Sequence, residues 1–195
     1  MSFMSEELGV RMHEIRWHGR GGQGAVTSSK ILAEAAYRTG WSGVTAAPSF
    51  GAERRGAPIT ASTRMAKEPI RILSQVTTPD VVVVLDDSLV AVAKPATGLQ
   101  PGGVIIINTV RPRAELGLPA DVRVVTADVT GSAMAAGVVV GGTPMVNTAI
   151  LGSIAAATGL VTMESVEAAI AEAFAPGPAA KNIEAARLAF ECTKA

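Results

Sequence analysis

His13-Glu14-Ile15-Arg16-Trp17-His18-Gly19-Arg20-Gly21-Gly22-Gln23-Gly24-Ala25-Val26 is the stretch on which the reading of the fold turns. Residues 13–18 alternate as a strand does, with Ile15 and Trp17 on one face. Gly19 to Gly24 is too rich in glycine to continue that strand and reads as a tight turn. Residues 25–39 then place Val26, Ile31, Leu32, Ala35 and Ala36 on one side of a helix, which Gly40 ends. Strand, glycine turn and helix form the opening unit of an α/β sheet. The spacing Gly19-x-Gly21-x-x-Gly24 fits a dinucleotide-binding turn, in which glycines let a pyrophosphate approach free N–H groups at the helix start. The acidic residue expected about 20 positions later for a ribose hydroxyl is missing, since that region reads Val44-Thr45-Ala46. Ordinary NAD binding is therefore disfavoured. The glycines serve equally well to let the helix sit close to the sheet or to another subunit.

The remaining pattern extends the same architecture. A loop-rich stretch over 42–57 holds a short strand near Val44, and Ile59 to Arg64 alternates as a strand. Arg71 to Ser74 reads as another short strand, and Thr78-Pro79-Asp80 as a turn. Val81 to Leu85 and Val104 to Ile107 are unbroken β-branched or aliphatic runs, the mark of parallel strands covered on both faces. Leu89 to Lys94 reads as a short helix and Val122 to Thr126 as a further strand. Helices follow over 147–158, 163–174 and 179–192, with Pro176-Gly177-Pro178 separating the last two. The expected fold is a three-layer α/β/α Rossmann-like domain with a mostly parallel sheet. It spans residues 1–195, with 1–11 as a frayed start.

Composition narrows the function. The chain has 195 residues, 17 basic and 17 acidic side chains, and 48% hydrophobic residues. The zero charge balance argues against a nucleic-acid partner. No apolar run approaches the roughly 20 residues of a membrane span, so no membrane partner is expected and the expected location is cytoplasmic. One cysteine, Cys192, cannot supply an iron–sulfur cluster or a zinc site. A mean hydropathy of +0.34 with so little charge leaves apolar surface to cover, by a small-residue core or by partner subunits.

Three groups of side chains carry potential chemistry. Ser49-Phe50-Gly51-Ala52-Glu53-Arg54-Arg55-Gly56-Ala57-Pro58 holds adjacent arginines in a glycine-rich loop. Arginine forks suit phosphates, carboxylates and interface pairs, or form a solvated bridge. Asp86 and Asp87 end a central strand, where open α/β sheets place their ligands. They read as a metal or acid–base pair, or as a helix cap beside a solvated charge. His13 and His18 flank the first strand without a metal-ligand pattern, and Asn147 reads as a cap for the following helix. No Walker lysine follows Gly24, and H-E-x-x-H, G-x-S-x-G and Cys-x-x-Cys are all absent. A ligand-like loop without a reactive group is what one part of a larger enzyme would carry.

Gly19-Arg20-Gly21-Gly22-Gln23-Gly24-Ala25-Val26, followed by Ser29 to Ala35, closely resembles the opening of the gamma subunit of 2-oxoacid:ferredoxin oxidoreductases, the pyruvate enzyme among them. Pro48 to Pro58 resembles that family's second signature. Pro69-Ile70-Arg71, Pro79 to Asp86, Pro144-x-x-Asn147-Thr148-Ala149-x-Leu151-Gly152 and Lys181-Asn182 fit its later segments, so the likeness runs from about residue 13 to 190. The resemblance implies a multi-subunit enzyme that oxidatively decarboxylates a 2-oxoacid (pyruvate, another aliphatic or an aryl 2-oxoacid such as phenylglyoxylate) to an acyl-CoA. It implies alpha, beta and ferredoxin-like delta subunits as partners. Thiamine diphosphate, Mg2+ and [4Fe-4S] clusters would be held by those chains, and this chain alone would bind no cofactor and perform no catalysis. Coenzyme A is the implied co-substrate. Electrons would pass to ferredoxin, or to NAD through FAD in an extra subunit.

On that resemblance the chain is structural and helps form the coenzyme A region. Gly19, Arg20, Gly21, Gly22, Gln23, Gly24, Glu53, Arg54 and Arg55 are then its candidate contacts to coenzyme A or to a neighbouring subunit. The alternative is a free-standing nucleotide-binding protein using the Gly19–Gly24 loop, and a weaker third reading is a ligand-sensing regulatory module. Ala133 to Gly142 is richer in glycine and valine than the family pattern, which predicts a longer turn there.

Overall fold

The computed structural model describes residues 11–48, 55–72 and 74–194. Most of the frayed start expected for 1–11, and both Glu53 and Arg54, lie outside the described residues. The sheet strands are β1 (His13–Arg20), β2 (Gly43–Pro48), β3 (Pro58–Ala66), β4 (Val81–Val84), β5 (Val104–Asn108) and β6 (Arg123–Ala127). They lie in the order β2-β3-β1-β4-β5-β6. β1, β4, β5 and β6 run parallel, whereas β3 is antiparallel to both β1 and β2. The helices are α1 (Ala25–Arg38), α2 (Leu89–Ala93), α3 (Val129–Ala135), α4 (Ala149–Thr158), α5 (Met163–Ala173) and α6 (Pro176–Cys192). The mostly parallel α/β architecture expected from the sequence is therefore present.

The two faces of the sheet are covered unequally, and β1 shows why. Ile15 and Trp17 are fully buried on the face that carries α1. The Trp17 indole N–H donates to Thr63 Oγ1 at 3.0 Å, and Thr63 donates on to the Ser29 carbonyl at 3.1 Å, so one buried chain of hydrogen bonds ties β1, β3 and α1 together. Ile106, Val125, Leu32, Ile150, Leu151, Ile154 and Ile170 continue this core under α1, α4, α5 and α6. The opposite face has only a small core of Val82, Val84, Ile105 and Ile107 under Leu89, Val90 and Leu116. There β1 presents Glu14, Arg16 and His18, opposite Arg64, Ser62 and Thr60 of β3.

Four local expectations change. Arg71 to Ser74 forms no strand among its described residues, because the carbonyls of Ile72 and Ser74 accept from the Arg64 guanidinium and not from a neighbouring strand. Pro176-Gly177-Pro178 is the first turn of α6 and does not separate it from α5 as a break before residue 179: a proline at the first helical position has no N–H to lose and its φ is already helical. The longer turn over 133–142 is instead the end of α3 followed by a two-stranded hairpin, β7 (Val139–Val140) and β8 (Thr143–Pro144). Gly141 and Gly142 turn it with φ of 57° and 80°, a pair of left-handed residues that only glycine tolerates cheaply. Asn147 does not cap the helix by the usual side-chain bond to its second or third N–H; its Oδ1 accepts from Thr148 N at 3.0 Å, one residue on.

α4 is buried on nearly every side and approaches α6 closely at Gly152. A Cβ placed there would lie 1.8 Å from the Ala186 carbonyl oxygen and 3.0 Å from the Phe190 nitrogen. Both neighbours are helix backbone, which cannot swing aside. Gly152→Ala is expected to destabilise the chain by about 3 kcal/mol, the upper range for overpacking a core, and urea unfolding of the two proteins at neutral pH measures it.

Candidate functional site

The glycine turn and the arginine loop, which are separate in sequence, form one unit. Gly21 N–H donates to the Ala57 carbonyl at 2.9 Å, and Gly56 N–H returns to the Gly21 carbonyl at 3.1 Å. Gly22 has φ of 95° with open space around it, and Gly24 has φ of 81° at the start of α1. A Cβ on Gly24 would meet the Asn147 side chain at 2.8 Å, so this glycine also permits the close approach of the segment before α4. Ser28 Oγ completes that junction by donating to the Asn147 carbonyl at 2.7 Å.

Arg20 is committed within the chain. Its guanidinium donates to Asp86 Oδ2 at 3.0 Å, to the Gly56 carbonyl at 2.9 Å and to Ser88 Oγ at 2.7 Å. Gln23 accepts from Arg20 N–H at 2.7 Å and donates to the same Asp86 oxygen at 3.2 Å. Asp86 Oδ1 also accepts from the backbone N–H and hydroxyl of Ser88. Burial pushes the Asp86 carboxyl upward, but hydrogen bonds from Ser88, Gln23 and Arg20 outweigh it and hold its pKa below the ordinary carboxylate value. Arg55 is exposed beside Gly21, to which its backbone is bridged. Of the nine candidate residues, the structure brings Gly19 to Gly24 and Arg55 together.

Beyond the turn, the carboxyl ends of β4, β5 and β6 enclose a crevice of about 450 Å3. Asp86, Asp87, Asp128, Asn108, Thr109 and Thr130 line it, and no lysine, arginine or histidine among the described residues does. Its polar groups brace one another. Asp87 accepts from Thr109 Oγ1 at 2.7 Å, Asn108 donates to the Leu85 carbonyl at 3.0 Å and exchanges bonds with Thr130, and Asp128 caps α3 through Gly131 N–H at 2.7 Å. Asp86 and Asp87 thus part to different neighbours. Among the described residues, no group of three or more histidine, cysteine, aspartate or glutamate side chains is placed to hold a metal ion. Asn108, Thr109 and Thr130 escaped the sequence reading, although the polar end of the Val104-to-Ile107 run was the signal for the first two.

A model of the family described as pyruvate ferredoxin/flavodoxin oxidoreductase matches residues 14–192. The chain belongs to that family. It is 49% identical over 187 residues to the pyruvate/ketoisovalerate oxidoreductases common subunit gamma of Thermococcus kodakarensis, an alignment covering 93% of this chain and 97% of that one. It is 47% identical over 183 residues to the pyruvate synthase subunit PorC of Methanothermobacter marburgensis, covering 94% and 98%. The crystal structure of the pyruvate oxidoreductase subunit PORC of Thermotoga maritima superposes with a TM-score of 0.81 at 35% identity, covering 94% of this chain and 98% of that one. The family resemblance seen in the sequence motifs therefore holds over nearly the whole chain. Among the described residues no helix is long and apolar enough to cross a membrane.

The open face of the sheet carries a second cavity, of about 540 Å3, which includes Arg16 and His18. His18 is buried and its Nε2 accepts from Arg16 Nε at 3.2 Å. Burial, reinforced by the Arg16 charge, lowers its pKa to about 4. An unfolded chain protonates this histidine near 6.5, so between those values the unfolded state holds the extra proton. The contribution of His18 to stability is thus complete above about pH 6.5 and is lost as the pH falls toward 4. Unfolding measured from pH 7.5 to 4.5 should show the native chain losing on the order of 2–3 kcal/mol more than His18→Gln does over that range.

Proposed function

We propose that this chain is the gamma subunit of a multi-subunit oxidoreductase that oxidatively decarboxylates a 2-oxoacid and transfers the acyl group to coenzyme A. The observation that carries this reading is 49% identity along 97% of a gamma subunit. Pyruvate or a branched-chain 2-oxoacid is the substrate class that the names of the relatives favour, and ferredoxin or flavodoxin is the acceptor that the family description names.

The chemistry of this chain fits a non-catalytic part. A [4Fe-4S] cluster takes four cysteine thiolates, and the chain has only Cys192, which packs against Ser132 and the Ala189 carbonyl. The Gly-Asp-Gly sequence that would hold thiamine diphosphate through Mg2+ is absent. These residues do not fit either group, and both belong to the alpha, beta and delta partners. Apolar surface gathers at the crevice mouth. Val110 of the lining is 79% exposed, Val140 of the β7–β8 hairpin, whose Thr143 and Pro144 reach the crevice, 67%, and Met134 of α3 59%. Such a patch favours burial under another subunit.

Within that assembly, Arg20 acts as a strut that holds the glycine turn to β4, and Arg55, with its neighbour Arg54, meets coenzyme A phosphates or a partner's carboxylates. A free-standing nucleotide-binding protein is less favoured. A pyrophosphate in the carboxyl-end crevice would face Asp86, Asp87 and Asp128 with no basic residue among the described lining.

Anaerobic affinity purification of the tagged chain from its native host tests the assignment. Co-purification of partner chains, iron and thiamine diphosphate, with coenzyme-A-dependent oxidation of a 2-oxoacid, is the expected result. A lone colourless chain would overturn it. In the purified complex, Arg55→Ala is expected to raise the KM for coenzyme A about tenfold or to weaken assembly by a similar factor, the effect of losing one charge-assisted contact; kinetics with varied coenzyme A and size-exclusion chromatography separate the two.

A further inference from the structure

We propose that the cavity on the open face of the sheet is a binding site for a small oxyanion-bearing molecule, a phosphate or carboxylate group, with Lys94 and Arg16 as its counter-charges. The site is distinct from the glycine turn and does not rest on the function proposed above. Its volume of about 540 Å3 lies in the range of small-molecule sites. The lining combines the two cations with polar Ser62 and Gln75 and apolar Val76 and Val92, and among the described residues it contains no aspartate or glutamate. This is the opposite charge character to the carboxyl-end crevice.

The electrostatic argument begins with a contrast on one sheet face. Arg64 of β3 is buried and its Nε pairs with Glu14 at 2.7 Å. Arg16, two residues along β1 from Glu14, is half-desolvated but has no carboxylate partner among the described residues. Its donors go to His18 and to the carbonyls of Thr77, Pro95 and Thr97. Those four acceptors orient the guanidinium without neutralising it, and among the described residues one Nη1 hydrogen is left without an acceptor. Desolvation lowers the Arg16 pKa, as it does for a cation held without a counter-ion. Neutral His18 beside it supplies no compensating negative charge.

Lys94 adds a second cation and a second kind of signal. It ends α2 at the edge of the cavity with φ of 44°, the only non-glycine at positive φ among the described residues. A lysine in the left-handed region is strained, and such strain persists where the surroundings or a ligand select it. No described residue accepts a hydrogen bond or forms an ion pair with its ammonium group. Two cations without acid partners, one held rigidly by carbonyls and one left open, make a receptor for a single anionic group.

Isothermal titration calorimetry of the full-length chain, with inorganic phosphate and with succinate as separate probes at fixed ionic strength, tests this. Saturable binding of at least one probe is expected, and which one binds distinguishes a phosphoryl from a carboxylate ligand. Lys94→Gln should weaken that binding about tenfold, whereas Lys94→Arg should largely retain it. The Lys94 side chain makes no hydrogen bond or ion pair among the described residues, and circular dichroism of both variants checks that they fold before binding is compared. Absence of saturable binding by both probes, or equal binding by the native chain and Lys94→Gln, would overturn the proposal.

Discussion

The alternation of β1 is the constraint on which the rest of the molecule depends. Ile15 and Trp17 point to one face of the sheet and Glu14, Arg16 and His18 to the other, in the middle of six strands. A strand's side chains have period 2, so no register shift could bury both sets. The apolar face therefore gathers α1, α4, α5 and α6, and the buried Trp17–Thr63–Ser29 hydrogen bonds lock the first helix onto it. Among the described residues the polar face receives α2 and the short turn at Arg113–Glu115. The unequal layers and the cationic cavity both follow from one strand.

The elements that were legible in the sequence are those whose local pattern agrees with their tertiary role. The Val81 and Val104 runs can only be strands buried on both faces, and the glycine turn before Ala25 admits little but a strand-to-helix corner. The elements that were missed are those decided by distant partners. Val129–Ala135 contains glycine and serine and is a helix because Asp128 caps it and α6 packs on it. Arg71 and Ile72 look like part of a strand but stay outside the sheet because Arg64 takes the carbonyls of Ile72 and Ser74.

The same division applies to the candidate sites. Gly19 to Gly24 and Arg55 could be picked out because each stretch is unusual in itself. Their union through the Gly21, Gly56 and Ala57 backbone was not visible, since nothing in either stretch encodes the pairing. Arg20 shows the limit most clearly. An arginine inside a phosphate-type turn reads as a ligand contact, yet its donors are spent on Asp86, Ser88 and Gly56. Arg16 and Lys94 gave no local signal, being 78 residues apart and joined only by the sheet and α2.

The charge distribution bears on how such a chain serves a larger enzyme. With 17 positive and 17 negative side chains the net charge is zero, so long-range attraction contributes little to assembly. The charges are nevertheless segregated, carboxylates at the carboxyl-end crevice and uncompensated cations on the open sheet face. Exposed Val110 lies in the lining of the acidic crevice, together with Pro144, Met145 and Val146. A partner covering that lining would desolvate Asp86, which already accepts from Ser88, Gln23 and Arg20 and so needs no new counter-charge from outside. Arg16 on the other face has no carboxylate partner among the described residues. The two faces therefore make opposite demands on whatever covers them: among the described residues, Asp87 and Asp128 of the crevice have only a hydroxyl and a backbone N–H as partners, and Arg16 of the open face has only carbonyls and an imidazole.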